Sequence, residues 1–276
     1  MTTIDQHQIA AAWDRVATGF DRYLTPLNMT LAERALRHVP AGPGTTLLDV
    51  ACGSGALAIP AARMGAQVTG VDLSPVLVDR LRERAVAEGL SGLAARVMDG
   101  QALQFDDGSF DVVASQFGIM LFPDLPRGLA EATRVLRPGG QALLVVFGPP
   151  ERQEWLGLLL AALQAAVPDF AGLPGDGPPL PFQVADPAVL RNRLAAAGLS
   201  DVRVQTLAHE MRFDSGRHML DALSASNPLA DAMVSGVPSH QRDAAAGVLD
   251  GMLRERSGGG PGGTVRAEVH IGTGTR

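Results

Sequence analysis

The chain has 276 residues, of which 46% are hydrophobic, and a formal net charge of −6. That length holds one nucleotide-binding domain of about 150 residues plus a further layer. Every basic residue is arginine and none forms a block, which argues against a nucleic-acid partner. The absence of lysine excludes a pyridoxal Schiff base, a Walker A lysine and a Tyr/Lys dehydrogenase pair.

The single cysteine, Cys52, permits no intramolecular disulfide, an expectation that points to a reducing cytoplasm. The first residues are polar and lack the apolar centre of a signal peptide. The most apolar stretch, 155–167, is too short to span a bilayer.

In chain order, residues 9–39 read as helical with a break at Thr25-Pro26, and Trp13, Val16, Phe20 and Tyr23 fall on one face. The cluster Ala41-Gly42-Pro43-Gly44 ends that region. Strands and helices then alternate. The expected strands are 45–50, 67–71, 94–98, 110–115 and 141–147. The helices between them are 55–64, 75–88 and 127–136. Short connections between alternating elements predict an α/β fold with a doubly wound, mostly parallel sheet.

After Phe147 the regularity breaks. Residues 151–167 read as a helix apolar nearly all round, 168–187 as a Pro/Gly-rich loop, and 187–197 as a capped helix. Residues 201–206 alternate like a strand. Residues 213–253 look mostly helical with an interruption at Asn227-Pro228, and 265–271 read as a last strand at an antiparallel edge. The organisation expected is an N-terminal helical lid (1–40), a binding core (41–150), and helical cap segments with C-terminal strands that complete the sheet (151–276).

The segment Asp49-Val50-Ala51-Cys52-Gly53-Ser54-Gly55 joins the first strand to the first helix of the alternating part. Gly53 and Gly55 let the backbone turn sharply and admit a ligand close to it. The helix start behind them offers free N–H groups. Asp72 ends the second strand, where a carboxylate can accept from ribose hydroxyls. Gly53-x-Gly55-x-x-Ala58 also satisfies a dinucleotide fingerprint. However, Asp49 inside the strand end suits a ligand that carries a cationic amine, and Asp99 after the third strand is placed for an adenine amino group.

Asp49 to Gly55, Gly70-Val71-Asp72-Leu73-Ser74, Asp99-Gly100, Asp107 to Asp111 and Arg137-Pro138-Gly139-Gly140 together resemble the motif series of class I S-adenosylmethionine-dependent methyltransferases. The similarity is greatest to the small-molecule branch that includes menaquinone/ubiquinone-type enzymes. It runs from about Trp13 to Phe147, with Ala51 standing where the loop usually has its first glycine.

The resemblance implies a seven-stranded Rossmann-like sheet and S-adenosyl-L-methionine as cofactor; no metal site is expected. It also implies roles. Asp49 would face the methionine amino group, with the Ala51 carbonyl, Gly53 and Gly55 along the methionine part. Asp72 would hold the ribose and Leu73 would lie against the adenine. Asp99 would meet the adenine amino group, helped by the Gly100 and Gln101 backbone. Ser115 and Gln116 would sit beside the cofactor and open toward the acceptor.

The expected reaction is in-line methyl transfer to a small, partly apolar organic acceptor, with water excluded. No catalytic base stands in a motif. His7, His38, His209, His218, His240 and His270 are isolated, and an isolated histidine is more often structural. His209 and His218, in the cap region, and Tyr23, in the lid, are the candidates worth following. The apolar helix from Trp155 could be core, pocket wall or the surface of a homodimer. An NAD(P)-dependent oxidoreductase or epimerase on a similar fold, and a cofactor-binding homologue without catalysis, remain as alternatives.

Overall fold

The computed structural model describes residues 6–173 and 179–276, with side chains from residue 8 onward. His7 and part of the expected 168–187 loop thus lie outside the described side chains or residues. The alternating part forms β1 (Thr46–Val50), α3 (Ala58–Arg63), β2 (Gln67–Asp72), α4 (Pro75–Ala87), β3 (Leu93–Val97), β4 (Phe110–Gln116), α5 (Leu125–Val135) and β5 (Leu136–Phe147). Helices α1 (Gln6–Gly19) and α2 (Thr25–Ala35) precede it. After it come α6 (Glu154–Ala166), α7 (Pro187–Ala196), β6 (Ser200–Phe213), α8 (Gly216–Ser226), α9 (Pro228–Val234), α10 (Ser239–Arg256) and β7 (Gly263–Thr275).

One seven-stranded sheet has the order β3-β2-β1-β4-β5-β7-β6. The first five strands are parallel, and β7 runs antiparallel to both β5 and β6. The order reverses between β2-β1 and β4, which places a binding crevice at the carboxyl ends of β1 and β4. Such strands are buried on both faces, so β1 and β4 read as continuous apolar runs. Leu47, Val112, Leu143 and Val145 lie under α2 and α3 on one face, while Leu48, Val113 and Leu144 meet α5 and α7 on the other.

Three elements differ from expectation. The last strand is antiparallel but not at an edge: β7 lies between β5 and β6, and β6 is the edge. Strand β6 extends to Phe213 because His209, Met211 and Phe213 alternate with exposed Glu210 and Arg212. The N-terminal helix does not break at Thr25-Pro26. It widens just upstream into one π-helical turn, Phe20–Leu24, with Thr25 N–H bonded to the Phe20 carbonyl. Proline lacks the N–H for the ordinary i−4 bond and its ring crowds that carbonyl, so a wider turn relieves the clash.

The cap has its own apolar core. Trp155, Leu159 and Leu163 of α6 pack with Phe213, Met219, Leu223 and Leu249. The apolar surface of α6 is therefore interior to this chain. Among the described residues, no helix is long and apolar enough to cross a membrane.

Candidate active site

Asp49 sits at the end of β1, 1% exposed. Among the described residues neither carboxylate oxygen has a hydrogen-bond partner. Burial pushes its pKa well up. The nearby Ala58 N–H, outside hydrogen-bonding geometry, opposes that shift by its dipole alone, and the neighbouring Asp72 charge adds to it. An orphaned buried carboxylate is costly in a folded protein unless a ligand supplies a donor.

The loop that follows β1 is shaped around this group. Gly53 and Gly55 have φ of +53° and +100°. A Cβ on Gly55 would meet Leu81 Cδ1 at 2.5 Å, and one on Gly53 would meet the Phe20 ring at 3.0 Å. Ala51 adopts φ +57°, a left-handed conformation that costs an L-residue energy. The loop geometry thus persists although its first glycine is replaced.

Asp72, at the end of β2, ties the loop in place. Its Oδ2 accepts from Gly53 N–H and its Oδ1 from Ser74 N–H, both at 2.9 Å. The residue is half-buried. Desolvation still raises its pKa, against the pull of these two amides, and Asp14 adds to the rise. Each oxygen keeps a further lone pair for another donor. Leu73 beside it is half-buried.

Asp99 Oδ1 accepts from Gln101 N–H at 2.9 Å, which folds Asp99-Gly100-Gln101 into a tight turn over the end of β3. Gln101 is buried and its Oε1 accepts from Asp124 N–H, fixing the turn to the start of α5. Ser115 is committed to the frame: its hydroxyl donates to the Val50 carbonyl at 2.7 Å and accepts from Ile119 N–H at 3.0 Å. Gln116 donates through Nε2 to the Asn28 carbonyl of α2, while its Oε1 is buried without a partner among the described residues.

The N-terminal helices close over this crevice. Asp14 Oδ1 accepts from Ser74 Oγ at 2.5 Å, Asp21 pairs with Arg84 at 2.5 Å, and Thr25 Oγ1 bonds Ser54 Oγ at 2.6 Å. Phe20 lies on Gly53, and Trp13 meets Phe20 edge-on at 5.7 Å. Trp13 and Phe20 share the face expected from their helical spacing. The polar anchors carry no local signal in the sequence, because their partners lie about 30 to 60 residues away.

At the ends of β4 and β5 an aromatic group faces the cap. Phe117 holds φ +59°, a conformation that a bulky residue adopts only when its surroundings enforce it. Its ring stacks on Phe147 at 4.4 Å, and Phe147 also meets Trp155 and Phe182.

Of the three candidates for acid-base work, Tyr23 and His218 lie together, with ring centroids 5.9 Å apart. His218 Nδ1 accepts from Asp214 N–H at 3.2 Å. His209 is separate, on β6 and 5% exposed, and its Nε2 has no partner among the described residues. Burial, then the nearby Arg34 cation, lower its pKa. His270 is structural: its Nε2 meets the Ala185 carbonyl and its Nδ1 the Thr206 hydroxyl. His38 and His240 are exposed.

A methyltransferase domain family matches residues 48–144, the span from β1 through most of β5. Nocamycin O-methyltransferase of Saccharothrix syringae is 35% identical over 206 residues, covering 69% of this chain and 72% of that protein. A 2-phytyl-1,4-naphtoquinone methyltransferase of Trichormus variabilis is 36% identical over 160 residues, 54% of this chain and 69% of that one. Among solved structures, the YcgJ protein of Bacillus subtilis superposes with a TM-score of 0.58 at 17% identity, covering 90% of this chain and 97% of that one. With its sheet order, its glycine loop and a relative matched along most of both chains, the protein belongs to the class I S-adenosylmethionine-dependent methyltransferases.

Proposed function

We propose that this enzyme methylates a small, partly apolar organic acceptor enclosed between the N-terminal helices, as a lid, and the C-terminal cap. The observation that carries the cofactor assignment is Asp49: an interior carboxylate with two unsatisfied oxygens beside a left-handed glycine loop fits the cationic amine of a methionine moiety. When bound, S-adenosylmethionine supplies an electrophilic methyl group on a sulfonium.

The chain's own residues do the rest. Asp49, Ala51, Gly53 and Gly55 hold the methionine end, Asp72 the ribose, and Leu73, Asp99, Gly100 and Gln101 the adenine. Ser115 positions the end of β4 from within the frame, and Gln116 faces the crevice. Phe20 and Trp13 cover the loop, where aromatic faces favour a cation and exclude water. The Phe117-Phe147 stack offers an apolar platform for the acceptor. The names of the two relatives, an O-methyltransferase and a naphthoquinone methyltransferase, support an acceptor of that kind. The lone buried Cys52 supports a cytoplasmic location. Since the apolar residues of α6 are used internally, a homodimer would form through another face.

Calorimetry with S-adenosylhomocysteine and NADH tests the reading. Binding of the first with no heat from the second is expected. Preferential NADH binding would overturn it.

A further inference from the structure

Three buried polar atoms without partners among the described residues belong to Gln116, Gln153 and His209. Directly paired residues on neighbouring strands point to the same side of a sheet. Gln116 pairs with Val145, Phe147 with Val269, and His209 with Ala267. Val145 and Phe147, like Val269 and Ala267, are two residues apart on their strands. Gln116, Phe147 and His209 therefore share the sheet face covered by α2, at the carboxyl ends of β4 and β5. Gln153, in the connection from β5 to α6, forms an isolated bridge with the same Ala267. Gln153 and His209 thus flank one alanine, roughly 10 Å apart at Cα by the spacing of strands.

The chemistry of the missing partner follows from the amides. Gln153 is 1% exposed, and its Nε2 donates to the Glu268 and Gly148 carbonyls at 2.8 and 3.1 Å. Gln116 Nε2 donates to the Asn28 carbonyl. Carbonyls only accept, so both amide nitrogens are committed and both Oε1 atoms are left as acceptors in need of a donor. A neutral His209 Nε2 accepts or donates according to its tautomer. A hydroxyl group can satisfy both kinds of site, and apolar surface cannot satisfy either.

We infer that Gln153 and His209 form the polar end of the acceptor pocket and select an apolar molecule that carries a hydroxyl group. This rests on the methyltransferase reading above and adds the acceptor's class. Gln116 is the member of the set next to the cofactor loop, and Phe147 supplies the apolar wall between it and the pair. His209 is in this view a specificity-determining residue.

The test uses the full chain saturated with S-adenosylhomocysteine, whose binding is measured first. Absence of that binding would overturn the methyltransferase reading itself. Then 2-naphthol and 2-methoxynaphthalene, which differ in the hydroxyl proton, are titrated by calorimetry. The expected result is at least tenfold tighter binding of 2-naphthol. His209→Leu should bring the two within about twofold with unchanged affinity for S-adenosylhomocysteine. Failure of 2-naphthol to bind, equal binding of both probes, or a preference that survives His209→Leu would each overturn the inference. If His209→Leu does not fold, the ring nitrogen resonances of His209 in the wild type decide. They should shift with 2-naphthol and not with its methyl ether, and the absence of such a shift overturns the proposal.

Discussion

Asp49 carries opposite consequences for the empty and the loaded protein. Its folded pKa lies above the ordinary carboxylate value because of burial. Between the unfolded and folded values the folded state holds the proton more tightly, so stability falls as pH rises through that window. A cationic amine at the carboxylate reverses the sign and favours ionisation. Asp49→Asn should therefore raise the stability of the ligand-free protein at pH 8 by about 1–2 kcal/mol, seen in denaturant titration. It should also weaken S-adenosylhomocysteine by tenfold or more and flatten the pH dependence of binding. Unchanged affinity would remove Asp49 from the site. Asp72 behaves differently, because it already holds Gly53 and Ser74 N–H groups. Asp72→Ala should lower both cofactor affinity and ligand-free stability, each by about 1–3 kcal/mol, and a loss confined to one of the two would contradict its double role. At Ala51, φ +57° sets a left-handed strain of about 1–2 kcal/mol against the entropy cost of glycine. Ala51→Gly is expected to stabilise by about 0.5–1 kcal/mol, a rise of roughly 2 °C in Tm, and a fall in Tm would show the alanine methyl to be a needed contact.

The N-terminal helices touch three separate strand ends. Asp14 reaches Ser74 after β2, Thr25 reaches Ser54 after β1, and the Asn28 carbonyl meets Gln116 on β4. Helix α2 is fixed by Leu31 and Ala32, with Leu36 just after it, in the apolar cluster against the sheet, whereas the π-helical turn rests on the glycine loop through Phe20. Opening is therefore expected of α1 and that turn, at less cost than unfolding of the sheet. The double variant Asp21→Ala, Thr25→Val removes the Arg84 pair and the Ser54 bond. It should speed dissociation of S-adenosylhomocysteine several-fold in stopped-flow measurements while amide exchange in β1 and β4 stays unchanged. Equal dissociation rates would mean that the N-terminal helices do not gate the crevice. The positions of Asp49, Asp72 and Asp99 at or just after strand ends are legible in the sequence, because loop chemistry there is local. The polar anchors of the N-terminal helices, and the orphaned Gln153, depend on partners brought together by the fold. The π-helical turn came from the proline already seen at position 26, read as a break where the chain instead widened. The expected strand at 201–206 stops short of the full β6 because Val202 and Val204 face one side of the sheet and Leu207, His209, Met211 and Phe213 the other, so the apolar alternation changes parity there.

At the scale of the whole molecule, the C-terminal strand joins the binding sheet to the cap. β7 registers with β5 from Gln141 to Phe147 and with β6 along most of its length. Its inward residues Val265, Ala267, Val269 and Ile271 are buried, the first two in the cap core and the last two under α2. An edge strand with one neighbour can be lost at modest cost. A strand between two others leaves two ladders unpaired, and each buried backbone group so exposed is expensive. Removal of residues 263–276 would strip β5 of its antiparallel partner, leave β6 unattached and open both apolar clusters. The expected outcome is a chain without a cooperative thermal transition and without binding of S-adenosylhomocysteine, even though every glycine-loop and acidic residue proposed for the site remains. Circular dichroism melting and calorimetry on the shortened chain make the comparison. A folded, cofactor-binding product would mean that β1 to β5 form an independent unit and that the cap and its strand are accessory. The contrary result would make acceptor pocket and cofactor crevice a single cooperative body, joined through Ala267 and Val269, so that substitutions in the cap core such as Leu249→Ala also lower cofactor affinity.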